Sequence, residues 1–340
     1  MIKYTLLLAI LLLSSCSTAV LQVENSEKIL KIDDYDKTLK IKETAQPKAP
    51  EAVPEIASKI DEKEKKEKKD VKSAAQPKPA PKKVAAPKKA AKKQPSLEDS
   101  EGFDGRRPIV DPFRVGEKVT LKLSYFNVVA GEMDISVLPF KEVNGKKSYH
   151  FQVAGKSYGF FSSIYAVDDK AETFLDYETL LPYNMAIDVK ESKKLSTIRS
   201  YFDWKKMKAH FWEKKITKKH GVEEKNLEWD IEPYSQNIFS AIFYLRTFTL
   251  TPGKKIQFRV SDNKKNMVVT GEVLRREVLK TELGEFKTVV IKPIVEIDGI
   301  FKPMGEVLFW LTDDDRKFVI RVESKIKIGT IIGSLKEIKP

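Results

Sequence analysis

The chain has 340 residues, with 62 Lys and Arg against 49 Asp and Glu, and a formal net charge of +13. One cysteine excludes a disulfide framework and any Cys-rich metal cluster, and no apolar run reaches the ~20 residues that a membrane-spanning helix needs. About +7 of the charge falls in residues 101–340, spread through the sequence rather than gathered into a patch.

Met1 to Lys3 is short and basic, Tyr4 to Leu13 is almost unbroken apolar sequence, and Ser14 and Ser15 precede Cys16. A basic start, an apolar stretch of this length and small residues after it make an export signal rather than a span. Leu13-Ser14-Ser15-Cys16 resembles the lipobox of bacterial lipoproteins. That resemblance implies a signal peptide over residues 1–15, cleavage before Cys16, and acyl chains such as palmitate on the Cys16 terminus. One acyl chain holds weakly, at about 0.8 kcal/mol per buried methylene, whereas two or three make a practically permanent anchor. An ordinary signal peptide with a stray cysteine is the competing reading. Ser17 stands where an aspartate would favour inner-membrane retention in enteric bacteria, which points to the outer membrane, facing the periplasm.

Residues 16–42 are polar with scattered Val, Ile and Leu; a short helix or a docking segment fits, but nothing there demands order. Residues 43–102 lack the apolar content to offset their ordering entropy and read as a disordered Lys/Pro/Ala-rich tether between lipid and domain. Lys82, Lys83, Lys88, Lys89, Lys92 and Lys93 concentrate its charge, in a pattern like basic histone tails. Export places them away from a genome, which argues against nucleic acid. An anionic envelope polymer or lipid head groups, or no partner at all for a self-repelling spacer, remain.

From residue 103 the hydrophobic period becomes two. Val119, Leu121, Leu123 and Tyr125 alternate with polar residues, as do Met133/Ile135/Val137, Tyr149/Phe151/Val153, Ile256/Phe258/Val260 and Phe318/Ile320/Val322. Asn144-Gly145, Leu283-Gly284 and the Asp313-Asp314-Asp315 run punctuate them as turns. The spacing predicts a mainly all-β domain over 103–340, an antiparallel curved, barrel-like sheet of about 11–12 strands. Two stretches break the alternation. A helical turn is expected from about Gly159 to Tyr165. In "SQNIFSAIFYLRTF", Ser235 can cap a helix on which Ile238, Ala241, Ile242 and Leu245 recur at helical spacing, buried as a plug inside or across one end of the sheet.

"VGEKVTLKLSYFNVVAGEMDISV", "GFFSSIYAVDDKAETFLD", "SAIFYLRT", "LGEFKTVVIKP" and "LFWLTDDDRKFVIRVESKIKIGTIIGSL" together resemble, in that order, a family of exported bacterial proteins known only as a domain of unknown function. The resemblance implies a barrel-like fold similar to one found among capsule- and exopolysaccharide-associated envelope lipoproteins. It transfers no catalytic residue.

Chemistry is sparse. His150, His210 and His220 lack ligand-like spacing and read as surface or turn histidines, and there is no nucleophile elbow, P-loop or dinucleotide fingerprint. The Asp313 run lacks the spaced oxygens of a calcium loop. Glu117, Glu132, Glu172 and Asp188 could serve as acid and base only if two converged in a cleft. No catalytic residue, metal site or cofactor is assigned. Tyr158, Phe160, Phe161, Tyr165, Tyr244 and Trp310 are the candidate ligand-lining aromatics, against the plainer alternative that such rings fill a β-core. The expected function is a non-enzymatic envelope lipoprotein binding an amphiphile, a glycan or a partner protein, with a part in building or maintaining the cell surface. A docking head without a pocket and an enzyme acting on envelope polysaccharide are the alternatives. An open apolar pocket of at least ~300 Å³ would favour a carrier, and a packed interior a docking head.

Overall fold

The computed structural model describes residues 19–44, 110–297, 300–303, 306–327 and 329–340. Cys16 and the six tether lysines lie outside these residues. Two short helices, α1 (Ser26–Leu30) and α2 (Asp33–Thr38), precede strand β1 (Ile41–Glu43). Then come β2 (Lys118–Tyr125), β3 (Val128–Val143), β4 (Lys146–Ser157), helix α3 (Gly159–Ile164), β5 (Asp168–Asp176), β6 (Asn184–Lys190), β7 (Lys194–Asp203), β8 (Lys208–Thr217) and β9 (Gly221–Asp230). Helix α4 (Ser240–Tyr244), continued by a 3-10 turn to Thr247, separates these from β10 (Lys255–Asp262), β11 (Lys265–Thr281), β12 (Gly284–Ile297), β13 (Ile300–Pro303), β14 (Glu306–Thr312), β15 (Val319–Lys325) and β16 (Thr330–Lys339).

All sixteen strands belong to one sheet, with the path β10-β11-β12-β14-β15-β16-β2-β3-β4-β5-β6-β7-β8-β9; β1 adds to β3 and β13 to β12. The chain is mainly β, as the alternation implies. The strand count exceeds the expected 11–12 because several strands carry no alternation to read. Strand β9 is exposed along most of its length and is held on β8 by cross-strand charges, Lys214–Glu224 at 3.3 Å and Lys215–Glu223 at 3.0 Å.

The sheet curls without closing. Its two ends, β9 and β10, meet through side chains: Trp229 Nε1 donates to Ser261 Oγ (2.8 Å) and Lys225 Nζ to Asn263 Oδ1 (2.8 Å). Just past β9, Gln236 exchanges backbone hydrogen bonds with Arg259 and Ser261, of 2.9 and 2.8 Å, lending this seam one isolated bridge. Because each neighbour on the path is antiparallel, the C-terminal ends of β2, β4, β6, β8, β10, β12 and β15 share one rim.

The concave face buries the main core, in which Leu121, Phe151, Leu175, Ile256, Ile291, Leu311 and Ile320 surround Phe243, Tyr244 and Phe248. The plug is therefore present but short. Its cap is Asn237 rather than Ser235: Asn237 Oδ1 accepts from the backbone N–H groups of Phe239 (2.9 Å) and Ser240 (2.8 Å), while the Ser235 hydroxyl donates to the Glu232 carbonyl. Asn237 also donates through Nδ2 to Thr173 Oγ1 and the Asn184 carbonyl, fixing the plug to the sheet.

The N-terminal stretch left undecided from sequence is ordered and docked. Ile32, Tyr35 and Leu39 bury against Val143 and Phe174 on the convex face, and Asn184 Nδ2 donates to the Tyr35 hydroxyl (2.7 Å). Glu43 pairs with Lys141 along β1 and β3. The chain ahead of the Lys/Pro-rich segment is thus attached to the same body that resumes at Val110.

Candidate functional site

Between the plug and the concave face lies an apolar groove. Strand periodicity builds it: Phe258 and Val260 on β10, Met267, Val269 and Gly271 on β11, and Ile291, Pro293 and Val295 on β12 all point inward two residues apart. Phe309 of β14 and Val319 of β15 close one side, and Ile238, Ala241, Ile242 and Leu245 form the wall facing the sheet. No lining side chain is polar or charged. The cavity measures about 130 Å³ and is partly open.

Gly271 and Pro293 face one another across β11 and β12. A Cβ at Gly271 would sit 2.9 Å from Ile256 Cγ1, so the glycine permits a close approach that any side chain would obstruct. An enclosed apolar void of this size would cost about 3 kcal/mol at roughly 24 cal/mol per Å³, and an opening to solvent lessens that cost. It compares with the ~150 Å³ engineered cavity that stays dry and binds benzene, and is smaller than the ~300 Å³ at which drug-sized sites begin.

Ile238, Ala241, Ile242 and Leu245 of the wall are the residues whose spacing marks the plug in the sequence. The six aromatics singled out there lie elsewhere. Tyr158, Phe160, Phe161 and Tyr165 come together around α3, outside the groove. The Tyr158 hydroxyl donates to Glu132 (3.0 Å) and that of Tyr165 to Glu191 (2.5 Å), and Phe160 is 68% exposed. Burial, with Glu191 adding to it, pushes the Tyr165 hydroxyl up to about 12. Tyr244 is fully buried against Phe248 and Phe258, and Trp310 donates to Glu277 (2.5 Å) beneath the Arg321 guanidinium. The inward residues of β11 and β12 were readable as alternation, but nothing in a single strand tells which inward residues meet a neighbour and which border a void.

The carboxylates considered as acid and base each face a basic or neutral partner. Glu117 is buried between Arg246 and Arg316, both at 2.6 Å. Glu132 meets Tyr158 and Lys336, and Asp188 meets Arg199 at 2.8 Å. Glu172 accepts from Gln152 (2.9 Å) and lies 3.3 Å from His150. His150 is not a surface residue: it is 7% exposed and packs tilted against the Phe174 ring. His210 lies between the Tyr201 and Trp212 rings beside Glu228, and His220 is exposed in the turn before β9. Asp314 accepts from Thr312 and from the Arg316 and Lys317 backbone, as a turn residue does. Among the described residues no group of three or more His, Cys, Asp or Glu is placed to hold a metal, and no helix is long and apolar enough to cross a membrane.

Residues 118–336 match the model of DUF3108, a family described as proteins of unknown function. No curated protein matches the chain. Among solved structures the chain is similar to a β-barrel-like protein of the DUF1849 family from Brucella abortus, at 12% identity and a TM-score of 0.42, covering 66% of this chain and 97% of that one. It is also similar to a protein provisionally described as a lipoprotein from Parabacteroides distasonis, at 10% identity and a TM-score of 0.30, covering 67% and 97%. Neither the family nor these structures is described as an enzyme.

Proposed function

The chain belongs to the DUF3108 family, which brings a fold without an assigned activity, and from that premise we propose that it is a lipid-anchored envelope protein whose barrel-like head grips one apolar chain of an amphiphile. The anchor is Cys16, acylated in an outer-membrane lipoprotein. The ligand-binding part is the groove under the plug. The observation that carries this reading is the groove's lining: fourteen residues, none polar, surround a partly open space. Such a wall recognises methylenes and offers nothing to a glycan. Its volume suits a chain end of about six carbons, by comparison with the benzene-sized cavity, so the rest of the amphiphile stays outside.

The same small volume favours the competing reading, a docking head into which a partner inserts a single apolar side chain. Native mass spectrometry of the full chain taken from its own membrane separates the two. A retained lipid-sized mass, lost in Ala241→Phe because the new ring fills the groove, supports the amphiphile; an unladen protein in both forms contradicts it. The same spectra read acyl mass on the Cys16 peptide, which tests the anchor by itself.

A further inference from the structure

Three consecutive turns on one rim expose apolar side chains that nothing among the described residues covers. The β2–β3 turn presents Phe126 and Val128, 64% and 48% exposed; α3 presents Phe160 and Ile164, 68% and 63% exposed; the β15–β16 turn presents Ile326, 43% exposed. These turns adjoin. Tyr158 at the start of α3 donates its backbone N–H to the Ala130 carbonyl, and the Phe126 ring lies over Gly329. Phe126 also holds φ +48° and Asn127 φ +61°, the left-handed pair of a tight hairpin in which Asn and Gly are at ease and a bulky aromatic is not. An exposed phenylalanine kept in a backbone state that disfavours it points to use at that spot.

Two further observations say what covers the rim. The first is where the described chain begins. Leu21 donates its backbone N–H to the Glu191 carbonyl, and Glu191 takes the Tyr165 hydroxyl immediately after α3. Only a handful of residues separate Leu21 from Cys16. The second is charge. The turns of this rim carry exposed Lys193, Lys218, Lys219, Lys264 and Lys327, whereas the opposite rim mixes both signs, exposed Lys146, Lys205, Lys206 and Lys254 with Glu178, Glu282 and Asp315. An apolar rim flanked by lysines fits the boundary between anionic head groups and acyl chains.

We propose that the rim formed by the β2–β3 turn, α3 and the β15–β16 turn lies in the surface of an anionic bilayer, holding the head flush against the membrane beside its own anchor point. This rests on the anchor proposed above only for what brings the head to the bilayer. It also gives the groove an orientation, because Val260, Met267 and Val295 lie near strand ends on this same rim.

The test uses the full chain with Cys16→Ser, so that a cysteine introduced at Phe160 or at Glu282 is the only thiol. Each is labelled with an environment-sensitive fluorophore and mixed with phosphatidylcholine vesicles, with or without phosphatidylglycerol. On anionic vesicles the Phe160→Cys label shifts to the blue and is quenched by a lipid-borne quencher, while the Glu282→Cys label does neither. Adding Lys218→Gln or Lys219→Gln lowers the lipid-embedded fraction about fivefold for each lysine lost, and Phe126→Asn, which suits the turn, lowers it without unfolding. Equal response at both sites, response at Glu282 alone, or none at either overturns the proposal. Acyl mass on the wild-type Cys16 peptide is a separate reading, so failure of the anchor and failure of the rim are told apart.

Discussion

Glu172 sits at the junction of sheet and covering segment, and its chemistry makes a pH-dependent prediction. The hydrogen bond with His150, with Gln152 and Lys170 adding to it, outweighs desolvation and holds its carboxyl down to about 2 from an ordinary 4.5. A carboxylate whose folded value is depressed stabilises the fold fully above its unfolded value and loses that contribution as pH falls toward the folded one. Glu172→Gln should therefore be less stable than the wild type by a constant amount above about pH 5. The two should converge as pH drops to about 2. Urea denaturation across that range checks it, and a difference that grows toward low pH would contradict the assignment. At Glu117, by contrast, the partners are two arginines, one of them buried between the Phe113 and Phe318 rings, and burial pushes the Arg246 guanidinium below its ordinary value against the pull of Glu117. Neither pairing was legible in the sequence, because residues 117, 246 and 316 meet only through the tertiary fold.

Among the elements, the N-terminal segment is the one whose role changed most between sequence and structure. Its apolar residues, Ile32, Tyr35 and Leu39, are too few to show a period, and their burial depends on a groove that Phe174 and Val143 supply from far along the chain. Helix α4 was legible for the opposite reason: four apolar residues at helical spacing announce a buried face without reference to any partner. Only its length was overread, since Asn237 starts it late and the 3-10 turn ends it early. Strand β9, an edge strand exposed on most of its length, has no hydrophobic period to show in the sequence. Tyr35→Ala removes the central contact of α2 and the acceptor for Asn184. Local opening of residues 19–44 should become easier by about 2–4 kcal/mol. Hydrogen exchange will then speed up by roughly two orders of magnitude in that segment and around His150, leaving β10–β12 protected. Uniform acceleration across the sheet would mean that the segment is part of the global core instead.

At the scale of the whole molecule, the described residues form a curled sheet with a side-chain seam, a short plug and a rim of apolar and basic side chains. Alternation and turn residues were enough to read the fold class, and the groove was hidden because a void has no residues of its own. The plug explains how such a space survives: five helical residues occupy part of the concave face, and Gly271 opposite Pro293 leaves the rest without inward bulk. If that space exists to hold methylenes, a short fatty acid should find it. The most direct measurement is methyl NMR of the full chain titrated with decanoate. The account predicts shifts at Ile242, Ile291 and Val269, absent in Ala241→Phe; shifts confined to Ile164 and Ile326 on the rim, or no shifts at all, would contradict it.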